Sequence, residues 1–228
     1  MNRVSTGEHK HMIDTTQNFN AIAAIPFIGV KEYLPPDTQR DARNSQTGKL
    51  EAHNHCKSTS CTVAWNALGK ILGEKFPVMQ PMATMGEFQY DAIVRNFMHP
   101  NEKIQDWQPH VRMFNELFKQ NQIPLVATLA PFRQNQSAVY LSMEKGFPVI
   151  LGTMITNAGH IVLLYRHYKY EGIPFHVIID PYGNPLKLYR GKGNDVADYY
   201  VIPPQEWNTW ITPVCNCIWF EVRGDLQI

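Results

Sequence analysis

Three residues of this chain carry chemistry when they are read together. Cys56 stands in His55-Cys56-Lys57-Ser58-Thr59-Ser60-Cys61, His160 in Gly159-His160-Ile161-Val162, and Asp180 in Ile179-Asp180-Pro181-Tyr182-Gly183-Asn184. A thiol is a weak nucleophile until it loses its proton. A helix N-terminus, a neighbouring imidazole and a carboxylate that orients the imidazole each favour that loss. The chain therefore reads as a split Cys-His-Asp site, with the cysteine opening a helix, the histidine opening one strand and the aspartate closing the next.

The elements that must position these groups follow from the local sequence. After Cys56 come Ser58, Thr59 and Ser60, hydroxyls of the kind that satisfy unpaired N–H groups in a first helical turn. Apolar residues then recur at helical spacing: Val63, Ala64, Ala67, Leu68, Ile71 and Leu72. The N–H of Cys56 is itself one of those orphan donors, so it can face a carbonyl oxygen attacked by its sulfur and form half of an oxyanion hole. Cys61 falls about one and a half turns further on, where a thiol is ordinarily a packing group. Gly159 before His160 leaves room for a substrate backbone. Asp180-Pro181 and Tyr182-Gly183 are also ordinary turn starters, and Asn184 is an alternative group to orient the histidine.

These stretches, with the Lys145-Gly146-Phe147-Pro148-Val149-Ile150-Leu151-Gly152 strand start, resemble the papain-fold cysteine peptidases related to the bacteriocin-processing peptidases. In that family a Cys-Gly/Asn-x-Thr-Ser helix start supplies the nucleophile, Gly-His opens a strand and Asp-Pro follows the next. Here Lys57 stands in place of the Gly or Asn. The resemblance spans roughly residues 24 to 222. It implies a papain-like α+β fold, a helical part carrying Cys56 that faces a strand part carrying His160 and Asp180, and substrate bound between them. It also implies an upstream glutamine that completes the oxyanion hole. Ile25-Pro26-Phe27 followed by Gln39-Arg40-Asp41-Ala42-Arg43-Asn44 matches that pattern through Gln39, and Gln46, nearer to Cys56, competes for the role. The leader-processing relatives are domains of membrane transporters. No transporter segment is evident in this sequence, so the resemblance points to the stand-alone type found in bacteria and their viruses.

Composition excludes several other classes. The 228 residues carry a formal net charge of +1 and no basic run, which argues against a dedicated nucleic-acid binder. Apolar stretches are strand-sized and interrupted, so none is expected to span a membrane, and Met1 to His9 lacks the apolar centre of a secretory signal. Four cysteines in a chain of this length read as reduced thiols of a cytoplasmic protein. His53, His55, Cys56 and Cys61 lie close in sequence, as do Cys215 and Cys217. Zinc sites space paired ligands by two to four intervening residues, whereas single-residue spacing suits alternate positions of a strand. The expectation is therefore no metal, no cofactor, and buried thiols at 215 and 217.

Residues 1–19 read as a polar arm and 20–228 as one catalytic domain. An opening strand is expected within 19–30, then a long polar loop over 31–55 that must deliver Gln39. Helical patterns follow the Cys56 helix at about 84–98, 107–121 and 135–145, and strands at 147–155, 159–169, 174–180, 198–202 and 214–222, with a helical turn near 204–207. The expected activity is cleavage of a peptide-type bond through a thioester. The expected substrate is a short peptide or amide, with the stem peptide of peptidoglycan as a candidate. The alternatives are an inactive papain-like module that binds a peptide or partner, and an acyl-transferring thiol enzyme.

Overall fold

A computed structural model describes residues 28–29, 43, 45–50, 55–72, 87–187, 189 and 198–223. Helix α1 (Cys56–Leu72) comes after strand β1 (Ile28–Gly29), and is followed by α2 (Glu87–Arg95) and α3 (Gln108–Gln120). Then come β2 (Leu125–Pro131), α4 (Gln136–Glu144), β3 (Val149–Thr153), β4 (His160–Tyr170), β5 (Ile173–Asp180), β6 (Asp198–Ile202), α5 (Pro204–Trp210) and β7 (Asn216–Val222). The strands form one antiparallel sheet in the order β2-β7-β3-β4-β5-β6, with β1 pairing the far half of β4. This is the α+β layout expected from the sequence, a cysteine-headed helix followed by an antiparallel sheet that carries the histidine and the aspartate.

Helices cover both faces of the sheet, which explains why its central strands read as unbroken apolar runs. Side chains alternate across a strand. Ile150, Leu163, Ile179, Ile218 and Phe220 face α1, α2 and α3, where they meet Trp65, Tyr90, Phe114 and Phe118. Val149, Leu151, Val162, Leu164, Ile178 and Trp219 face the other way, toward Val139 and Met143 of α4 and Trp207 of α5. Thus α4 does not join the first three helices, and the helical part foreseen from sequence is divided between two layers. Trp65, Phe114, Phe118 and Phe220 lock α1 and α3 onto β7, with ring centroids 5.1–6.5 Å apart. Edge and tilted ring contacts of this kind add to the area they bury.

One strand was not foreseen. Leu125–Pro131 pairs along its whole length with β7 and forms a sheet edge. Its sequence, Leu-Val-Ala-Thr-Leu-Ala-Pro, contains two alanines and a terminal proline, and of its residues only Leu125 and Ala127 are buried. Its strand character comes from pairing with a segment some ninety positions later (~90, from the paired register) rather than from its own pattern. Among the described residues, no helix is long and apolar enough to cross a membrane.

Candidate active site

Helix α1 begins at the cysteine. The carbonyl of His55 accepts from the N–H of Thr59 at 2.8 Å, so His55 caps the helix and Cys56 is its first residue. The serine and threonine hydroxyls do not all serve the first turn as the sequence implied. Ser60 Oγ donates to the carbonyl of Ile161 at 3.2 Å, and Thr62 Oγ1 donates to the carbonyl of Ser58 at 2.8 Å. Cys56 and Ser60 are four residues apart and share a helix face. The backbone of Ile161 also hydrogen-bonds the Cys56 sulfur. The start of β4 is therefore fastened to the first turn of α1 at two points, and His160 is carried to the thiol.

The rest of the site lies across two strands. His160 Nε2 is 2.8 Å from Asp180 Oδ1, and the imidazole also hydrogen-bonds the Cys56 thiol. With Nε2 on the carboxylate, Nδ1 is the nitrogen that serves the sulfur. His160 is 7% exposed and Asp180 fully buried. Burial alone would push the imidazole pKa down, but the Asp180 carboxylate outweighs it and, with Cys56, raises it to about 10. For Cys56, burial pushes the thiol pKa up, and the His160 hydrogen bond and charge, the Ile161 backbone and the Lys57 charge together bring it below its ordinary value. Each group thus favours the charged form of the other, the imidazole the thiolate and the sulfur the imidazolium.

Asp180 is held in turn. Its Oδ1 also accepts from the N–H of Tyr182 at 2.9 Å, and Oδ2 accepts from the hydroxyl of Tyr189 at 3.0 Å. The rings of Tyr182 and Tyr189 stand edge-on to the His160 ring, with centroids 6.4 and 5.9 Å away. Tyr189 has φ +58, a left-handed conformation that costs a non-glycine residue about 1–2 kcal/mol. Burial first, and then the Asp180 charge, hold its phenol well above the ordinary range, so it remains a donor. No local signal marked Tyr189 in the sequence. Asn184 takes a different part from the one weighed for it, because its Oδ1 accepts from the N–H of Leu186 at 3.0 Å and closes a turn.

A cleft of about 410 Å³ opens beside the cysteine and histidine. Its lining includes the wall formed by Lys57, Gln105 and Trp107, and also Met154, Gly159 and Val214. Gly152 lies in its floor. A Cβ there would stand 3.2 Å from Trp107 Cζ2 and 3.1 Å from the Asn216 carbonyl, so only glycine lets the indole lie this close to β3. Gln39 lies outside the described residues. Gln46 sits in an exposed turn, where its Oε1 accepts from Arg95 Nη1 at 3.3 Å, and it does not line the cleft. Gln105, which sequence reasoning did not single out, does line it.

The other thiols are differently placed. Cys61, beside Tyr90, and Cys217 are fully buried, and burial raises both to about 12. Cys215 is buried as well, its sulfur 3.3 Å from the backbone N–H of Thr212. Only Cys56 combines partial exposure with a partner base.

No family model matches this chain, and no curated protein matches it. Among solved structures it is similar to UfSP from C. elegans, at 12% sequence identity and a TM-score of 0.43, over 87% of this chain and 37% of that one. So distant a likeness carries nothing about activity. The layout itself, with a cysteine at the head of a helix packed on an antiparallel sheet that presents histidine and aspartate, is the one that the sequence resemblance implied.

Proposed function

We propose that this protein is a thiol hydrolase that cleaves a peptide-type bond, with Cys56 as nucleophile, His160 as general base and acid, and Asp180 as the group that orients His160. The observation that carries this reading is the unbroken line from Cys56 through His160 to Asp180, in which the imidazole uses one nitrogen on the carboxylate and has the other for the sulfur. The thiolate attacks the carbonyl carbon, and the oxyanion is met by the N–H of Cys56 at the helix N-terminus and by a glutamine amide. Imidazolium Nδ1–H protonates the leaving amine, and water deprotonated by the same nitrogen then hydrolyses the thioester. Gln39 is the proposed amide, and Gln105 competes for the role from its place in the cleft wall.

A short peptide or amide fits the cleft volume, and the indole of Trp107 with the exposed Met154 and Val214 favours an apolar side chain near the scissile bond. The stem peptide of peptidoglycan is the first defined substrate to test, as for a bacterial or phage enzyme. The thiolate–imidazolium arrangement favours an active enzyme over an inactive binding module. The deciding experiment is incubation of the protein and a Cys56→Ala control with muropeptides and with an unfolded protein, followed by mass spectrometry of both products and enzyme. A Cys56-linked acyl adduct or Cys56-dependent cleavage is expected, and turnover that survives in Cys56→Ala would overturn the reading.

A further inference from the structure

The proposed mechanism gives no step to a buried charge that stands next to the nucleophile. Lys57, the neighbour of Cys56 in the first turn of α1, is 4% exposed. Desolvating an ammonium costs several kcal/mol unless partners compensate. Its partners here are specific. Nζ donates to the backbone carbonyl of Gln105 and lies 4.2 Å from the centroid of the Trp107 ring. Both belong to the turn that leads into α3, and both line the cleft together with Cys56. The same turn has a second anchor, since His110 Nε2–H donates to the carbonyl of Ile104 at 2.8 Å.

The titratable groups that face Lys57 come from three elements. Cys56 and Cys61 belong to its own helix, Asp106 to the turn and His110 to α3, while His160 on β4 lies beyond Cys56. Burial keeps Cys61 a neutral thiol and, by pushing its pKa down to about 3, keeps His110 a neutral imidazole. Asp106 is exposed and spends Oδ2 on the N–H of Lys103 at 2.7 Å. The Cys56 thiolate is the anion within the site that gains from the ammonium.

We propose that Lys57 is a positioning residue with two effects: it fastens the Gln105–Trp107 wall of the cleft to the first turn of the nucleophile helix, and its charge helps to hold Cys56 as thiolate. Cleft shape and nucleophile strength are then set by one side chain. Removing it frees the wall to move on the His110 anchor alone and lets the sulfur keep its proton to higher pH. The inference builds on Cys56 as the reactive thiol, but the test reads that thiol directly and needs no substrate, so it can fail while the hydrolase reading stands.

The test uses the full chain with Lys57→Met, which keeps the length and loses the charge, and Lys57→Arg, which keeps charge and ring contact. Iodoacetamide modification of Cys56 is followed by mass spectrometry across pH, and amide exchange is measured on the peptide covering 104–107. Lys57→Met is expected to move the midpoint of the alkylation profile up by about one pH unit, the size of one close, partly screened charge. It is also expected to speed exchange in the 104–107 peptide about tenfold or more, as local opening becomes easier. Lys57→Arg should restore both. A folded Lys57→Met with unchanged midpoint and exchange overturns the proposal, as does a Lys57→Arg that behaves like Lys57→Met. Should Lys57→Met fail to fold, the unaltered protein and Lys57→Arg decide. Burial lowers the Lys57 pKa to about 8, so the unaltered profile should show a second inflection there that the arginine variant lacks, and profiles of identical shape overturn the proposal.

Discussion

His160 Nε2 and Asp180 Oδ1 meet at 2.8 Å although the two residues stand at opposite ends of adjacent antiparallel strands, one opening β4 and the other closing β5. The hairpin between them places the start of one strand beside the end of the other. The relation fixes the tautomer: the carboxylate accepts from Nε2–H, so Nδ1 is the nitrogen that exchanges a proton with Cys56. Asp180→Asn should keep this geometry and lose the charge. Because Asp180 is what raises His160 to about 10, the alkaline limb of the activity profile should move down in pH, and kcat should fall on the order of 10²–10⁴-fold. An unchanged alkaline limb in a folded Asp180→Asn protein would remove Asp180 from the site.

The lowered Cys56 thiol predicts a labelling pattern. His160 holds the Cys56 thiol below its ordinary value against the effect of burial. Iodoacetamide should therefore modify Cys56 below the ordinary thiol value of about 8.5, while Cys61 and Cys217, buried and raised to about 12, stay unmodified until the fold opens. His160→Ala should return Cys56 to slow, pH-steep alkylation. Equal labelling of Cys56 and Cys61 in the native protein would contradict the assignment.

What the sequence made legible is what local chemistry marks. Cys56 opens a run with helical apolar spacing, His160 follows a glycine, which here takes φ +81, and Asp180 precedes a proline. Each can be recognised from its neighbours. Tyr189, Lys57 and Trp107 could not be, because their parts depend on partners brought in by folding: Asp180 for the tyrosine, and each other across 50 positions for the lysine and the indole (107 less 57). The same reason hid β2, whose partner β7 lies at the far end of the chain. The hydroxyls after Cys56 mislead in the opposite way. Their type suggested capping, yet Ser60 is spent on β4, where it helps to seat His160.

Tyr189 supplies a third prediction. Its hydroxyl on Asp180 Oδ2 is a hydrogen bond to a charged group, worth about 1.5–3 kcal/mol. Tyr189→Phe keeps the ring beside His160 and loses the donor. If the bond orients the carboxylate for the imidazole, kcat should fall roughly tenfold with KM little changed, and the alkaline limb should shift, while thermal stability drops modestly. A loss confined to stability would make Tyr189 a packing residue only.

The oxyanion donor is open to a direct comparison. Gln39→Ala and Gln105→Ala should differ, and the one that removes the donor should lower kcat by roughly 10²-fold or more with less effect on KM. Gln46 is engaged by Arg95 in an exposed turn pinned by Ser45 to the buried Asp91, so Gln46→Ala should leave kcat unchanged. A large kcat loss in Gln46→Ala would show that the 45–50 turn reaches the cleft.

The last prediction concerns acid stability and arises where the sheet packs on α4 and α5. His167 Nδ1 lies 3.1 Å from His176 Nε2, and that same Nε2 lies 2.8 Å from the Tyr140 hydroxyl. The ring of Tyr140 stacks on His167 at 4.1 Å, and His176 stacks on Trp207 at 3.6 Å and 5°. Burial lowers the pKa of both histidines, so the folded protein binds these protons later than the unfolded chain does. For a base with a depressed folded pKa, stability is complete above the unfolded value of about 6.5 and declines as pH falls below it. Thermal unfolding followed downward from neutral pH should therefore show a falling Tm. A variant with His167→Phe and His176→Phe, which retains two stacking rings and has no proton to gain, should show a shallower fall. The slope that persists belongs in part to His110, which burial holds down at about 3. Parallel curves for the two proteins would place the acid sensitivity elsewhere and leave the histidine pair as neutral packing at every pH tested.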